Sequence, residues 1–250
     1  MTRLIALFLI ALFPIACAPP ASTDQPPKNP PKETPSESVP PSDDGDKLLP
    51  DPSGRPYFPK GSGNDPTEWS DQTKTEVLAR MKEPSLFDQG DKRPELEVRF
   101  LWLRSFDDPI SVRVWTTAEG SFIRTARIRI KKNKEEPSLP GTLVETTRVL
   151  DAAETKAFTA ALTKAPLAAP MNETEKNLPG GLDGADWFFE SYMEKTYQRL
   201  NFWGLNAVDL TRYRNLGVDT SKLRDTSSLL KFALNLLELS KLNIPREDIY

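Results

Sequence analysis

Apolar and polar residues alternate along the middle of the chain with the period of two that is typical of β-strands. In the first run, residues 96–103, apolar side chains at every second position alternate with Glu97 and Arg99, which predicts one buried face. Leu101 and Leu103 make the second half of the run apolar on both faces, so we place this strand in the centre of a sheet. Similar runs follow at 110–114, 122–130 and 142–150.

The connections between these runs predict how the strands are joined. Turn-forming residues at 107–109 and 118–120 separate the first three runs, and a polar loop at 131–141 precedes the fourth. Consecutive strands joined by short turns predict an antiparallel meander. Two later runs, 185–192 and 196–202, predict a second hairpin.

Three other segments have the residue pattern of helices. One is predicted to begin at Asp65 and to end before Pro84, and another begins at a capping box formed by Asp151 and Glu154. A third covers residues 229–242, where leucines recur at helical spacing. Because strands and helices are segregated along the chain, the sequence predicts an α+β fold, with an antiparallel sheet (meander plus second hairpin) and segregated helices.

The N-terminus has the pattern of an export signal. Arg3 precedes an apolar run at 4–13, which is too short to cross a bilayer but has the length of a signal-peptide core. The following residues, Pro14-Ile15-Ala16-Cys17, resemble the lipobox of bacterial prolipoproteins. That resemblance implies cleavage before Cys17, a diacylglycerol on its sulfur and often an acyl group such as palmitate on its amine. The alternative is an ordinary secretory signal that is cut elsewhere.

A proline-rich segment follows the predicted lipidation site. Twelve of the 24 prolines lie between Pro19 and Pro56, among polar residues, so this segment is predicted to be a disordered tether with a polyproline II bias. The chain is therefore predicted to comprise a signal peptide at 1–16, a lipidated cysteine and linker at 17–64, and one globular domain at 65–250.

Three segments, 99–106, 109–114 and 182–187, resemble parts of a family of bacterial lipoproteins to which no activity is assigned. The resemblance extends over about residues 96–203. It implies a location in the cell envelope and a single folded unit, and it carries no catalytic role over to this chain. Ala18 in place of aspartate resembles the class sorted to the outer membrane of two-membrane cells, facing the periplasm or the surface.

Composition excludes several kinds of chemistry. The chain has no histidine, and its one cysteine is Cys17. An intrachain disulfide, imidazole catalysis and Cys/His metal sites are therefore excluded, and no cofactor is expected. A net charge of −3 and an isoelectric point near 5.3 argue against a nucleic-acid partner.

The most specific candidate site is a group of carboxylates beside glycines. Asp183, Asp186 and Glu190 could act as acid and base on a sugar or bind a hard cation through oxygen. The alternative is a structural Gly/Asp turn that leads into a strand and leaves the aspartates exposed.

Two other groups of residues are predicted to be structural. The basic residues of the third strand are expected to form a solvated outer face paired with acids on neighbouring strands: Arg124, Arg127, Arg129 and Lys131. The aromatic residues are expected to pack the core, although exposed members could bind a sugar or a peptide: Trp102, Trp115, Trp187, Phe188, Phe189, Tyr192, Tyr197, Phe202 and Trp203.

Taken together, these patterns favour a lipid-anchored cell-envelope protein with a non-enzymatic interaction or structural domain. Its expected partners are the membrane, reached through the lipid, and an envelope protein or polymer. The alternative is a hydrolase of envelope polymers, which requires Asp183, Asp186 and Glu190 to converge in a cleft.

Overall fold

A single antiparallel sheet organises the protein in a computed structural model that describes residues 50–59, 71–89, 93–130, 141–180, 184–205, 207–245 and 249. Its six strands are β1 Leu96–Arg104, β2 Ile110–Thr117, β3 Gly120–Arg129, β4 Thr142–Val149, β5 Ala185–Met193 and β6 Thr196–Trp203. Their order across the sheet is β4-β3-β2-β1-β5-β6. The predicted meander, the second hairpin and the central position of β1 are confirmed.

Five α-helices accompany the sheet: α1 Asp71–Arg80, α2 Ala152–Lys164, α3 Glu173–Lys176, α4 Ala207–Asn215 and α5 Thr226–Leu239. The α+β class is confirmed, since helices and strands are segregated and every strand pair is antiparallel. The predicted start of α1 at Asp65 lies outside the described residues. The short helices α3 and α4 were not predicted.

Local capping explains where α2 and α5 begin. The side chain of Asp151 accepts a hydrogen bond from the Glu154 amide at 2.8 Å, and the Glu154 carboxylate accepts one from the Asp151 amide at 3.1 Å. This is the predicted capping box. Helix α5 begins earlier than predicted, because Asp225 is its N-cap and accepts from the amide of Ser228.

The face of the sheet that packs against α2, α4 and α5 contains the larger hydrophobic core. Alternate residues of β1, including Val98, Phe100 and Trp102, are fully buried there. Phe100 stacks on Phe189 of β5 with 5.0 Å between ring centroids. Alternate residues of the strands are therefore buried on this face, as the period-two pattern predicts.

The opposite face is covered by the segments that precede β1. Tyr57 and Phe58 are each 1% exposed, and they pack with α1 against the sheet residues Leu101 and Leu103. Asp51 holds this segment in place by accepting hydrogen bonds from the backbone amides of Arg55, at 2.8 Å, and Ser85, at 3.0 Å.

This packing corrects the predicted domain boundary. The linker was predicted to extend to residue 64, but Tyr57 and Phe58 pack against the sheet and Asp51 binds the Ser85 amide, so the folded domain includes residues 50–59. The high proline content wrongly indicated disorder for residues 50–59, because Tyr57 and Phe58 bury enough apolar surface to order the prolines around them.

The predicted signal peptide, Cys17 and residues 18–49 of the predicted linker lie outside the described residues. Within the described ranges, no helix is both long enough and apolar enough to cross a bilayer.

We expect Phe58→Ala to lower the free energy of unfolding by about 3–5 kcal/mol, because it leaves a cavity between the N-terminal segment and the sheet. Urea unfolding followed by circular dichroism measures this change. Phe106→Ala is the matched control, since Phe106 is 66% exposed and its loss should change stability by about 0.5 kcal/mol or less. Equal effects of the two substitutions would show that residues 50–59 are not part of the folded domain.

Candidate functional site

A row of arginines crosses the face of the sheet that α1 covers. Arg124 of β3, Arg113 of β2 and Arg99 of β1 lie directly opposite one another in the strand register. Glu190 of β5 and Arg199 of β6 continue the same row. Side chains that are opposite in antiparallel strands project from the same face, so like charges at these positions would repel without carboxylates between them.

Glu83 supplies the central negative charge. Its buried carboxylate contacts three arginines: Oε2 lies 2.9 Å from Nε of Arg113 and 3.8 Å from Nη1 of Arg99, and Oε1 accepts a hydrogen bond from Arg124. Ser111 Oγ donates to the same Oε1 at 3.2 Å.

The C-terminus of α1 positions this carboxylate. The amide of Glu83 donates to the carbonyl of Leu78, and the amide of Lys82 donates to that of Ala79, both at 3.0 Å. Lys82 has a φ of 55°. These bonds form a Schellman motif, which usually has glycine at the position that Lys82 occupies. The turn ends α1 and directs Glu83 onto the sheet.

Glu190 is the second acidic centre on this face. Its Oε2 accepts hydrogen bonds from Arg99, with Nε at 2.7 Å, and its Oε1 accepts one from the hydroxyl of Tyr197 at 2.9 Å. Burial raises the pKa of Glu190, and the Arg99 guanidinium opposes that rise. Burial and the neighbouring Glu190 raise the pKa of Tyr197 well above its usual value, so its phenol remains a donor.

Asp186 forms a separate ion pair. Its Oδ2 lies 3.3 Å from Nζ of Lys74 on α1, and both side chains are completely buried. The ammonium group also lies 5.3 Å from the centroid of the Phe188 ring. The prediction of an exposed turn is therefore wrong for Asp186, which lies inside β5 opposite Leu103.

The candidate carboxylates do not line a cleft in the described part of the chain. Asp183 lies outside the described residues. Asp186 and Glu190 share one face of β5 but are four residues apart, about 13 Å along a strand, and neither reaches solvent. No group of three or more acidic, cysteine or histidine residues suited to a metal ion occurs among the described residues.

The basic stripe predicted on the third strand is also corrected. Arg124 and Arg127 differ by an odd number of positions and therefore lie on opposite faces. Arg124 is buried beneath α1 and pairs with Glu83 and Glu145. Arg127 pairs with Asp108 at 2.6 Å on the other face, and Lys131 lies outside the described residues.

The aromatic set divides into two groups. Its buried members confirm the prediction of core packing: Trp102, Trp187, Phe188, Phe189, Phe202 and Trp203. Trp115, Tyr192 and Tyr197 are partly exposed, but all three contact charged or aromatic neighbours.

An apolar pocket of about 630 Å³ opens beside α5, on the helix-covered face of the sheet. Six of its eight described lining side chains are aliphatic, and the other two are an indole and a carboxylate: Trp187, Leu230, Leu234, Leu237, Glu238, Leu242, Ile244 and Ile249. The sequence predicted this helix from the spacing of its leucines, but it did not predict a pocket beside it. The usable signal was that α5 has two apolar stripes: Leu229, Phe232 and Leu236 are fully buried, whereas Leu230 and Leu234 of the neighbouring stripe are not.

No protein-family model matches the chain, and no curated protein is significantly similar to it. The resemblance to bacterial lipoproteins therefore stays a prediction from the sequence.

We expect Glu83→Gln to lower the free energy of unfolding by about 3–5 kcal/mol, because it removes the charge shared by Arg99, Arg113 and Arg124 in a buried site. Chemical denaturation checks the value. Glu173→Gln is the control, since that carboxylate is exposed and pairs only with Lys176 among the described residues. A loss no larger than the control would mean that the arginines do not depend on Glu83.

Asp186→Asn should be similarly destabilising, by about 3–5 kcal/mol, because Lys74 keeps its charge in a site closed to water. The double variant Lys74→Met with Asp186→Leu removes both charges and should recover most of this loss. Thermal unfolding of the three proteins compares them directly. If Asp186→Asn unfolds at the same temperature as the wild type, Lys74 and Asp186 do not form a buried ion pair.

Proposed function

We propose that the protein is a lipid-anchored component of the cell envelope whose folded part is a non-enzymatic binding domain. The observation that carries this proposal is the contrast between the two faces of the sheet. Asp186 and Glu190 are enclosed in ion pairs, whereas the accessible concavity beside α5 is apolar and suited to binding.

The proposed anchor is Cys17. It follows an apolar run and a small residue, and it is the chain's one cysteine. Two or three acyl chains hold a protein on a membrane far more firmly than one chain does. Because Ala18 follows it, we propose the outer membrane as the destination in a two-membrane cell.

The segment between the anchor and the domain would act as a spacer. Residues 18–49 are rich in proline and polar residues, a composition that favours an extended and solvated chain. As a flexible coil, a segment of this length averages about 30 Å from end to end, and proline extends it further. The domain would then meet an envelope protein, polymer or lipid at a distance from its own anchor.

The hydrolase alternative finds less support in this geometry. It requires two carboxylates that face one substrate bond with access to water. Asp186 and Glu190 are instead about 13 Å apart along β5 and separated by the ring of Phe188.

We expect Cys17→Ser to release the protein from the membrane fraction or to leave its signal peptide uncut. Metabolic labelling with palmitate measures lipidation, and membrane fractionation measures release of the protein. Ala21→Ser is the matched control, since it changes a nearby small residue and leaves the lipidation site intact. Palmitate incorporation that persists in Cys17→Ser would contradict the proposed anchor.

A further inference from the structure

We propose that the pocket beside α5 binds the aliphatic chain of a single-chain amphiphile whose head group carries no net negative charge. This inference rests on the proposed function for the source of its ligand, because an envelope location places the domain among lipids.

The pocket is shaped for a linear ligand. Leu230, Leu234 and Leu237 follow one stripe of α5 and line one wall over about 10 Å of helix. Leu242, Ile244 and Ile249, from the segment after α5, contribute further aliphatic lining. A volume of about 630 Å³ lies within the range of small-molecule sites, and a stripe of leucines suits a hydrocarbon chain.

The polarity of the lining separates a hydrocarbon chain from a peptide or a sugar. The described lining has two polar side-chain groups, the Glu238 carboxylate and the Trp187 indole N–H, and the latter is buried. An extended peptide or a sugar would bring amide or hydroxyl groups into a site with few side-chain partners, at a cost of about 1–3 kcal/mol for each group left unsatisfied. A hydrocarbon chain has no such groups to satisfy.

Charge determines which head group is tolerated. Glu238 is the one charged side chain in the described lining, and it is exposed on α5. The whole chain is also acidic, with a net charge of −3. A carboxylate or phosphate head group at the mouth of the pocket would be repelled by Glu238, whereas a cationic or neutral head group would not.

The test is calorimetric titration of the full chain carrying Cys17→Ser, so that no acyl chain of its own competes. The probes are dodecyltrimethylammonium, monododecanoylglycerol and dodecanoate, each below its micelle-forming concentration. We expect saturable binding of one molecule per domain with a negative heat-capacity change, and about fivefold weaker binding of dodecanoate at neutral pH. Any binding to the apolar run at 4–13 is common to all variants and is subtracted.

Three substitutions make the test specific. Leu234→Glu places a charge in the pocket at a position that is already 36% exposed, and it should weaken the binding of monododecanoylglycerol at least tenfold. Leu216→Glu is the matched control, because Leu216 is 56% exposed and lies outside the described lining. Ile249→Glu tests the pocket from the segment after α5 if Leu234→Glu unfolds.

Glu238→Gln tests the head-group claim separately and should reduce the discrimination against dodecanoate. Unchanged binding in both Leu234→Glu and Ile249→Glu would overturn the pocket assignment, and equal binding of all three probes to the unsubstituted pocket would overturn the head-group claim. Either result would leave palmitate labelling and membrane retention of the wild type unaffected. A failure of the pocket is therefore distinguishable from a failure of the proposed anchor.

Discussion

The buried carboxylate of Glu83 is the contact on which the docking of the N-terminal segment onto the sheet depends. Arg99, Arg113 and Arg124 lie side by side on adjacent strands, so the sheet cannot bury this face without a negative charge above it. The turn after α1 supplies that charge, and the ion pair of Lys74 with Asp186 fixes the helix at a second point. Charges enclosed in this way contribute little net stability over an apolar packing, but each partner is costly to remove.

This use of charge also encloses the two described acidic candidates, Asp186 and Glu190, which have no contact with solvent. A buried carboxyl group with a perturbed pKa is often a sign of an active site. Among the described residues, however, the Glu190 carboxylate accepts its hydrogen bonds from Arg99 and Tyr197, and α1 covers this face together with Tyr57 and Phe58. Asp186 instead joins α1 to the sheet through Lys74, and Glu190 links β5 to β1 and β6 through Arg99 and Tyr197.

On the opposite face of the sheet, residues of α5 contribute both to the hydrophobic core and to the pocket. One stripe of α5 seals the main core against the sheet, and a neighbouring stripe lines an open apolar pocket. Apolar surface that the fold leaves in contact with water is unfavourable, and a ligand or partner that covers it lowers the free energy. The binding site proposed here is thus on the helix-covered side of the sheet, away from the row formed by Arg99, Arg113 and Arg124.

The sequence by itself determined the strands, the antiparallel order of β1 to β3, the hairpin of β5 and β6, and the N-cap of α2. These features depend on periodicity, turns and capping, which are local. Only the tertiary structure decided that Tyr57 and Phe58 belong to the domain, that Asp186 is buried and that Arg124 and Arg127 face opposite ways to different partners. The reason is physical: alternation shows which residues share a face of a strand, but the segment that covers this face comes from elsewhere in the chain. Whether a charge at such a position is solvated, or is enclosed opposite Glu83, therefore depends on contacts across the sheet.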